Sequence, residues 1–548
     1  MLRDARTLTD GAELTADVCI VGSGPGGLTV AAHLAGSGRS VIVLETGGEE
    51  PDPQIQRLAE GDVVGDPLLN PSTIRHRRIG GNANAWCLKM ADGGIGVRHA
   101  ALEAHDFERR EWIPESGWPF DLDHLRPFYE RASVTCGCSA RPYDADPWER
   151  GEAMRWTLDP SIVTSRVFQF GASTSFTQVL RGRIEQDPNS TLLHHATAVE
   201  IEVNESGRAA ERVRCRQFDG REFTVAATTI VLATGGLANA SLLLQSNSRL
   251  PNGVGNGNDL VGRYLQDHPL VAGGSMVLAR KELWNRSAFY DMRLVDGTSA
   301  LGHLSVAAEA QRKDHLLGLS AVFFPRPTQR RSVGLDAMKQ FVETRSEGHS
   351  PAQLMSYGAR MLAGADYLPI AAYRKLRWHQ SLYPGFGRGG WSEMPTLDRK
   401  FVRFEVIHQA EQSPEPTNRV MLGREKDALG CPRLRVEWKF SRSDSEAAAR
   451  GRRVIAAELL RAGIGTVTLP DDGDLPELGT AAGTAHHIGT TRMHDDPKRG
   501  VTDRNARLHE VENVYVAGSS LFPTGAFANP TLTIVALAHR LADHLASR

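Results

Sequence analysis

Apolar positions along this chain gather into short runs that glycine-rich breaks interrupt. Val18-Cys19-Ile20-Val21 is apolar at every position, the pattern of a strand buried on both faces. Gly22-Ser23-Gly24-Pro25-Gly26-Gly27 follows at once, and Leu28 to Leu34 then reads as a helix whose small residues let it lie against a sheet. Gly36-Ser37-Gly38 ends that helix, and Ser40 to Leu44 predicts a second strand closed by Glu45. Later runs repeat the theme. Thr191 to Val203 predicts a strand run followed by a half-exposed strand. Thr228 to Leu232 predicts a buried strand running into Gly235-Gly236, with a helix from Ala238 to Leu244. Asn513 to Gly518 and an amphipathic helix from Pro530 to Ala542 complete the set. Roughly 271 to 480 differs in texture, with alternating runs such as Phe401-Val402-Arg403-Phe404-Glu405-Val406-Ile407-His408.

At 548 residues the chain exceeds what one core holds, which predicts two domains. Hydrophobic residues make up 41% and charged ones 23%, and no stretch is long enough to cross a bilayer. A formal net charge of −2 gives no reason to expect nucleic acid as a partner. Met1 to Arg6 lacks the apolar run of a secretory signal, so a cytoplasmic enzyme is the default expectation. The six cysteines are scattered, and Cys136-Gly137-Cys138 is poor zinc spacing. Buried free thiols and no metal site are expected. The stretch from about 325 to 400, with Arg330-Arg331 and Arg374-Lys375-Leu376-Arg377-Trp378, has more basic than acidic residues. It reads as a solvated helical insertion over the substrate entrance.

Strand, glycine loop, helix and second strand together form a dinucleotide-binding unit. Gly22 allows the tight turn, Gly24 lets backbone approach a pyrophosphate, and Gly27 lets helix and strand pack closely. Glu45 can accept hydrogen bonds from adenosine ribose hydroxyls, which argues against a 2′-phosphate. The motif alone does not choose between FAD and NAD. Far downstream, Ala485-His486-His487-Ile488-Gly489-Thr490-Thr491-Arg492-Met493 and Ala528-Asn529-Pro530-Thr531-Leu532-Thr533 offer a base and a polar partner.

Taken together these residues resemble the glucose–methanol–choline (GMC) oxidoreductases, flavoenzymes that oxidise alcohols. Gly80-Gly81-Asn82-Ala83-Asn84-Ala85-Trp86 looks like that family's second flavin motif, and Asp259 to Pro269 looks like the segment leaving its nucleotide domain. A His followed by Asn-Pro-Thr is similar to the pyranose oxidase and glycoside 3-oxidase branch. The resemblance implies an α/β fold: a FAD-binding Rossmann-like domain with a second, α+β substrate-binding domain built on an antiparallel sheet, as in p-hydroxybenzoate hydroxylase. The expected division is a FAD-binding domain over 1–100, 186–270 and 482–548, a connecting segment over 101–185 and a substrate-binding domain over 271–481.

The resemblance further implies that His486, rather than His487, is the catalytic base and that Asn529 is its partner. Flavin contacts are expected at Gly22, Ser23, Gly24, Gly27, Glu45, Thr46, Gly80, Gly81, Asn84, Trp86, Cys87, Ala198, Ala233, Gly235, Ala517, Gly518, Asn529 and Thr531. Pyranose oxidases attach their flavin through a His just before the Trp. Ala85 stands there, so the FAD is expected to be non-covalent. Cys87 replaces a Thr of that branch, which puts oxygen reactivity in doubt and leaves oxygen, quinone or a redox partner as acceptor; an oligomer is possible.

The implied chemistry has a physical reason. An alcohol carbon releases hydride to flavin N5 as its hydroxyl proton leaves. Neutral imidazole, with an ordinary pKa near 6.5, suits that proton removal, and an amide donor at Asn529 can steady the developing charge. His408, Gln409 and Gln412, with Glu411 between them, are candidates for binding a sugar hydroxyl. A non-sugar alcohol, a lyase that keeps its flavin structurally, and an NAD-dependent dehydrogenase, which Ala517-Gly518 and Asn529-Pro530-Thr531 disfavour, are the competing readings.

Overall fold

Every side chain of Val18–Val21 and of the strand Val41–Glu45 is buried, because parallel neighbours and helices cover both faces of the sheet they enter. The computed structural model describes residues 1–68, 70–345, 348–378, 389–393, 401–470 and 484–548. In the first sheet the strands run Leu2–Asp4, Ser190–His194, Val41–Glu45, Ala12–Val21, Glu222–Leu232, Ala210–Arg216 and Thr197–Val203, and Val514–Val516 also pairs with Glu222–Leu232. The first five of these, and Val514–Val516, pair in parallel, and the last two close the sheet antiparallel. This is the expected nucleotide-binding architecture. Helix Pro25–Leu34 leaves the glycine loop, and helix Thr531–Ala546 packs in the same core.

Among the described residues the second sheet has nine strands, all antiparallel. Its strand Leu319–Arg326 shows period-2 packing: Val322 and Phe324 enter the core shared with the nucleotide domain, whereas Ala321 and Phe323 enter a second core. Helix Arg442–Arg461 covers that other face through Ala448, Ile455 and Leu459. One face of this sheet is thus the wall of the site.

Segment membership differs from the division expected above. Ile95–His99, within the first segment assigned to the nucleotide domain, and Val163–Ala172, within the connecting segment, both belong to the antiparallel sheet. Their pairing bridges some seventy positions, which no local pattern encodes. Helix Leu122–Thr135 lies instead on helix Thr531–Ala546, where Tyr129 meets Thr533 at 2.8 Å and Arg131 pairs with Asp543 at 2.6 Å. Gly61–Gly65 pairs in parallel with Pro432–Trp438 in a small third sheet, which stitches the two halves together beside the cavity that Pro432 and Leu434 help to line.

The basic insertion is helical as expected, with helices Gln329–Glu343, Pro351–Ala363 and Leu368–Trp378. It leaves the sheet where Arg326 faces Arg403, while the Leu319–Ala410 end approaches Phe527 near the site. The strand register thus roots the insertion at the opposite end of this strand from Phe527. Residues 346–347, 379–388 and 394–400 of that stretch, and the expected domain boundary at 481–482, lie outside the described residues.

Of the cysteines expected to be buried, Cys19, Cys136, Cys138 and Cys215 are; Cys431 is partly exposed and Cys87 exposed. Cys87 faces the cavity described next, which explains its accessibility. Among the described residues no helix is long and apolar enough to cross a membrane.

Candidate active site

Two glycines make the loop after Val21 possible. Gly22 has φ of +105°, and a Cβ there would lie 2.6 Å from the Ala233 carbonyl oxygen. A Cβ on Gly27 would lie 2.0 Å from the Gly22 carbonyl oxygen. Neither position admits a side chain. Gly24, the N-cap of helix Pro25–Leu34, brings no side chain to that helix end, so the first-turn amides remain available for an anion.

The loop opens onto a cavity of about 650 Å³, a size suited to a cofactor. Gly22, Ser23, Gly24, Glu45, Thr46, Gly81, Trp86, Cys87, Ala198, Ala233, Gly235, Ala517, Gly518 and Thr531 line it, together with His486 and His487. Gly27, Gly80, Asn84 and Asn529 do not line it. Gly27 serves helix packing, and Asn84 donates through Nδ2 to the carbonyls of Ile79 and Gly81, holding the turn that presents Gly81. Gly80 donates its amide to the Ser23 carbonyl at 3.1 Å, tying that turn to the glycine loop.

Glu45 is 8% exposed. Its Oε2 accepts from Ser23 N and Ser23 Oγ at 3.1 and 2.6 Å, and its Oε1 accepts from Gly47 N at 3.0 Å. Burial raises its pKa against these bonds. Glu45 therefore locks the loop as well as facing the cavity.

At the other end of the cavity, His486 Nε2 stands 3.0 Å from Asn529 Nδ2, while Arg98 Nε donates to Asn529 Oδ1 at 2.8 Å. Because the guanidinium only donates, it turns the amide oxygen toward itself and the NH₂ toward His486. His486 Nε2 then carries the lone pair and Nδ1 the proton, which Thr484 Oγ1 accepts at 2.6 Å. His268 Nδ1 lies 3.1 Å from the same Nδ1. Asp267 Oδ1 gathers the supporting loop, accepting from the backbone amides of His268, His486 and Thr484 at 2.7, 3.0 and 3.2 Å. Ala485, just before the histidine, is held at φ of +61°, a left-handed conformation that costs a non-glycine residue energy.

Electrostatics keep this imidazole neutral. Burial, then the charges of His268, Arg98 and His487, hold the His486 pKa well below its ordinary value. Arg98 stays cationic although burial brings it down to about 10, and its guanidinium sits 4.8 Å over the Phe168 ring. His487 points elsewhere, with Nε2 3.9 Å from Asp267 Oδ2.

The three positions expected to meet substrate divide. His408 donates from Nδ1 to the Ser320 carbonyl at 2.9 Å, and burial lowers its pKa to about 4. Gln412 accepts at Oε1 from Asp267 N and Trp438 Nε1, both at 2.9 Å, and donates to the Lys439 carbonyl at 2.8 Å. Both are used inside the protein and neither lines the cavity. Gln409 does not line it either, but one of its polar atoms is unspent. Its Nε2 donates to the Phe527 carbonyl at 2.6 Å, and its buried Oε1 has no hydrogen-bond partner among the described residues. Glu411 is spent on Arg110, in a pair buried on both sides.

Sequence reasoning missed Arg98 and Thr484, treated Asp267 only as part of a motif, and read His268 as a structural or pocket-lining histidine. Among the described residues one set of metal-competent side chains converges, Asp4, His194 and His195. Both oxygens of Asp4 are already engaged by Arg6.

Two models of the GMC oxidoreductase family match the chain, the C-terminal one over residues 414–538 and the N-terminal one over residues 170–270. The chain is a GMC oxidoreductase, an FAD-dependent enzyme that acts on CH–OH donors. It is 25% identical to 2-methyl-1,2-propanediol dehydrogenase of Mycolicibacterium austroafricanum, over 99% of this chain and 97% of that protein. It is also 25% identical to a C-glycoside 3-oxidase of Microbacterium trichothecenolyticum, over 97% and 96%. The solved structure of a formate oxidase from Aspergillus oryzae shares the fold, with a TM-score of 0.52 at 18% identity over 98% of this chain and 99% of that one. The bare glycine loop, the uncapped helix start and the long cavity fit FAD: Gly24 and Gly26 would face its phosphates, Glu45 and Ala198 its adenosine, and Gly518 and Thr531 its ring system.

Proposed function

We propose that this enzyme oxidises a hydroxyl of a sugar or glycoside to a carbonyl, with His486 as general base, Asn529 as its partner and FAD held non-covalently. The observation that carries the reading is the His486–Asn529 pair at 3.0 Å, its amide oriented by Arg98. An incoming hydroxyl oxygen accepts a hydrogen bond from Asn529 Nδ2 and donates its proton to His486 Nε2. Help of this kind is worth about 10²–10⁴-fold. Thr484 and Asp267 hold the ring so that Nδ1 keeps its proton and Nε2 stays free to take one. The cation of Arg98 and the amide of Asn529 favour negative charge as it builds on the substrate oxygen. Bound FAD supplies the acceptor for the electrons and hydrogen that leave the alcohol carbon.

The sugar part draws support from the C-glycoside 3-oxidase likeness and from Gln409, whose buried Oε1 has no partner among the described residues and is a ready acceptor for a second hydroxyl. The likeness to a propanediol dehydrogenase, which spans nearly both chains, favours a non-sugar alcohol as the alternative. Anaerobic mixing with sugars, glycosides and simple alcohols distinguishes them: bleaching of the flavin by glycosides is expected. If no CH–OH compound bleaches it, the proposal fails; if only simple diols do, the alternative stands. Reoxidation by air then separates oxidase from dehydrogenase.

A further inference from the structure

The helices Gln329–Glu343, Pro351–Ala363 and Leu368–Trp378 form a layer with a small core of its own, Leu335, Tyr367 and Ala371, supported by Met338 and Leu368. That core is separate from the two large ones. Much of the layer's apolar surface is left outside it. Val342, Leu354, Met355, Leu362, Ile370 and Leu376 are 57%, 47%, 77%, 76%, 42% and 77% exposed. Helix Pro351–Ala363 buries no residue at all, yet it is carefully started, by proline in its first turn and a reciprocal capping box between Ser350 and Gln353. A helix whose packing is limited to contacts such as Tyr357 against Phe341 and that still presents leucine and methionine outward is organised for contact with something else.

Charge narrows what that something is. Helices Pro351–Ala363 and Leu368–Trp378 contain no aspartate or glutamate, whereas their sequences include Arg360 and Lys375. On the neighbouring helix Arg330 and Arg331 share a single carboxylate, that of Asp366. The chain as a whole is slightly acidic, with a net charge of −2, so these two acid-free helices stand out as locally positive. A second copy of the chain docking by the same face would bring like charges together. Asp336 and Glu343 lie on the first helix and Asp366 on the link between the other two. The two helices that carry Met355, Leu362 and Leu376 nonetheless combine apolar side chains with cations and no acids, the composition of helices that lie in a bilayer interface.

We propose that this helical layer docks the enzyme on an anionic lipid bilayer, with Met355, Leu362 and Leu376 entering the boundary between headgroups and acyl chains and the basic side chains meeting lipid phosphates. This attachment is peripheral and independent of the reaction assigned to the site. The test uses full-length, FAD-loaded protein and sedimentation with vesicles of phosphatidylcholine alone or mixed equally with phosphatidylglycerol. Binding to the anionic vesicles is expected, roughly tenfold or more tighter than to the neutral ones, and weaker as salt screens the charges. The triple variant M355S/L362S/L376S is expected to lose about tenfold or more of that binding while its flavin spectrum and thermal midpoint stay unchanged. Failure of the wild-type protein to sediment with anionic vesicles at low salt overturns the proposal, as does a folded triple variant that binds equally well. Wild-type oligomers that the triple variant dissolves, without vesicle binding, overturn it in favour of an interface between copies.

Discussion

Arg98 and Asn529 are 431 positions apart in sequence and 2.8 Å apart in space, joined by an Nε–H···Oδ1 hydrogen bond that decides which way the carboxamide points. Replacing Asn529 by Ala removes a donor aimed at the reacting oxygen and is expected to slow flavin reduction about 10²–10³-fold. Arg98→Lys keeps a cation but loses the planar fork, and a smaller loss of roughly tenfold is expected. Since Arg98 works through Asn529, the double variant should be no slower than Asn529→Ala alone. Stopped-flow rates that multiply would separate the two residues.

His486→Ala is expected to retain its yellow colour and to lose at least about 10²-fold in the rate of flavin reduction by substrate. His487→Ala, whose ring faces Asp267, should lose far less. A normal rate in the first variant, measured anaerobically, removes His486 from the base role.

The acid limb of the wild-type rate reports the same group. The base works only when neutral, and its pKa lies well below 6.5 in the fold. Reduction is therefore expected to run level from pH 8 down through pH 6.5 and to fall only at more acidic pH. A limb centred at or above 6.5 in a stopped-flow profile contradicts the buried, neutral imidazole.

Glu45→Ala unties the Ser23 amide and hydroxyl and the Gly47 amide at once, so FAD retention should weaken. Gel filtration followed by the 450 nm region of the spectrum checks this, and undiminished colour counts against it.

Stability should fall on mild acidification. Burial depresses His99 and His303 to about 3 and His268 and His408 to about 4. Below pH 6.5 the unfolded chain binds protons at these sites that the folded chain refuses, so unfolding is favoured as pH drops. Asp291 and Asp444, raised to about 7 and about 6, act in the opposite sense but are fewer. A thermal midpoint lower at pH 5.5 than at pH 7 is expected, and an equal or higher one refutes the balance.

Much of this was legible before any coordinates. The glycine loop announces itself because a tight turn and close helix packing leave no room for Cβ at Gly22 and Gly27, and such constraints write residue types into adjacent positions. His486 and Asn529 were legible through motif order. Arg98 was not: Ile95-Gly96-Val97-Arg98-His99 is an ordinary strand, and only its pairing with Val163–Ala172, which brings Phe168 under the guanidinium, makes that arginine part of the centre. His408 and Gln412 misled for the converse reason. They are polar residues in a strand and its exit, and their partners Ser320, Trp438 and Lys439 come from elsewhere in the fold.

The reactive centre draws on residues 98, 267–268, 484–486 and 529. A ribosome delivers Arg98 hundreds of residues ahead of Asn529, so a nascent chain can shape its glycine loop while it still lacks the amide and the imidazole that activate an alcohol. Electron extraction is thereby withheld from unfinished molecules, and the competence to oxidise arrives only once translation has passed Asn529.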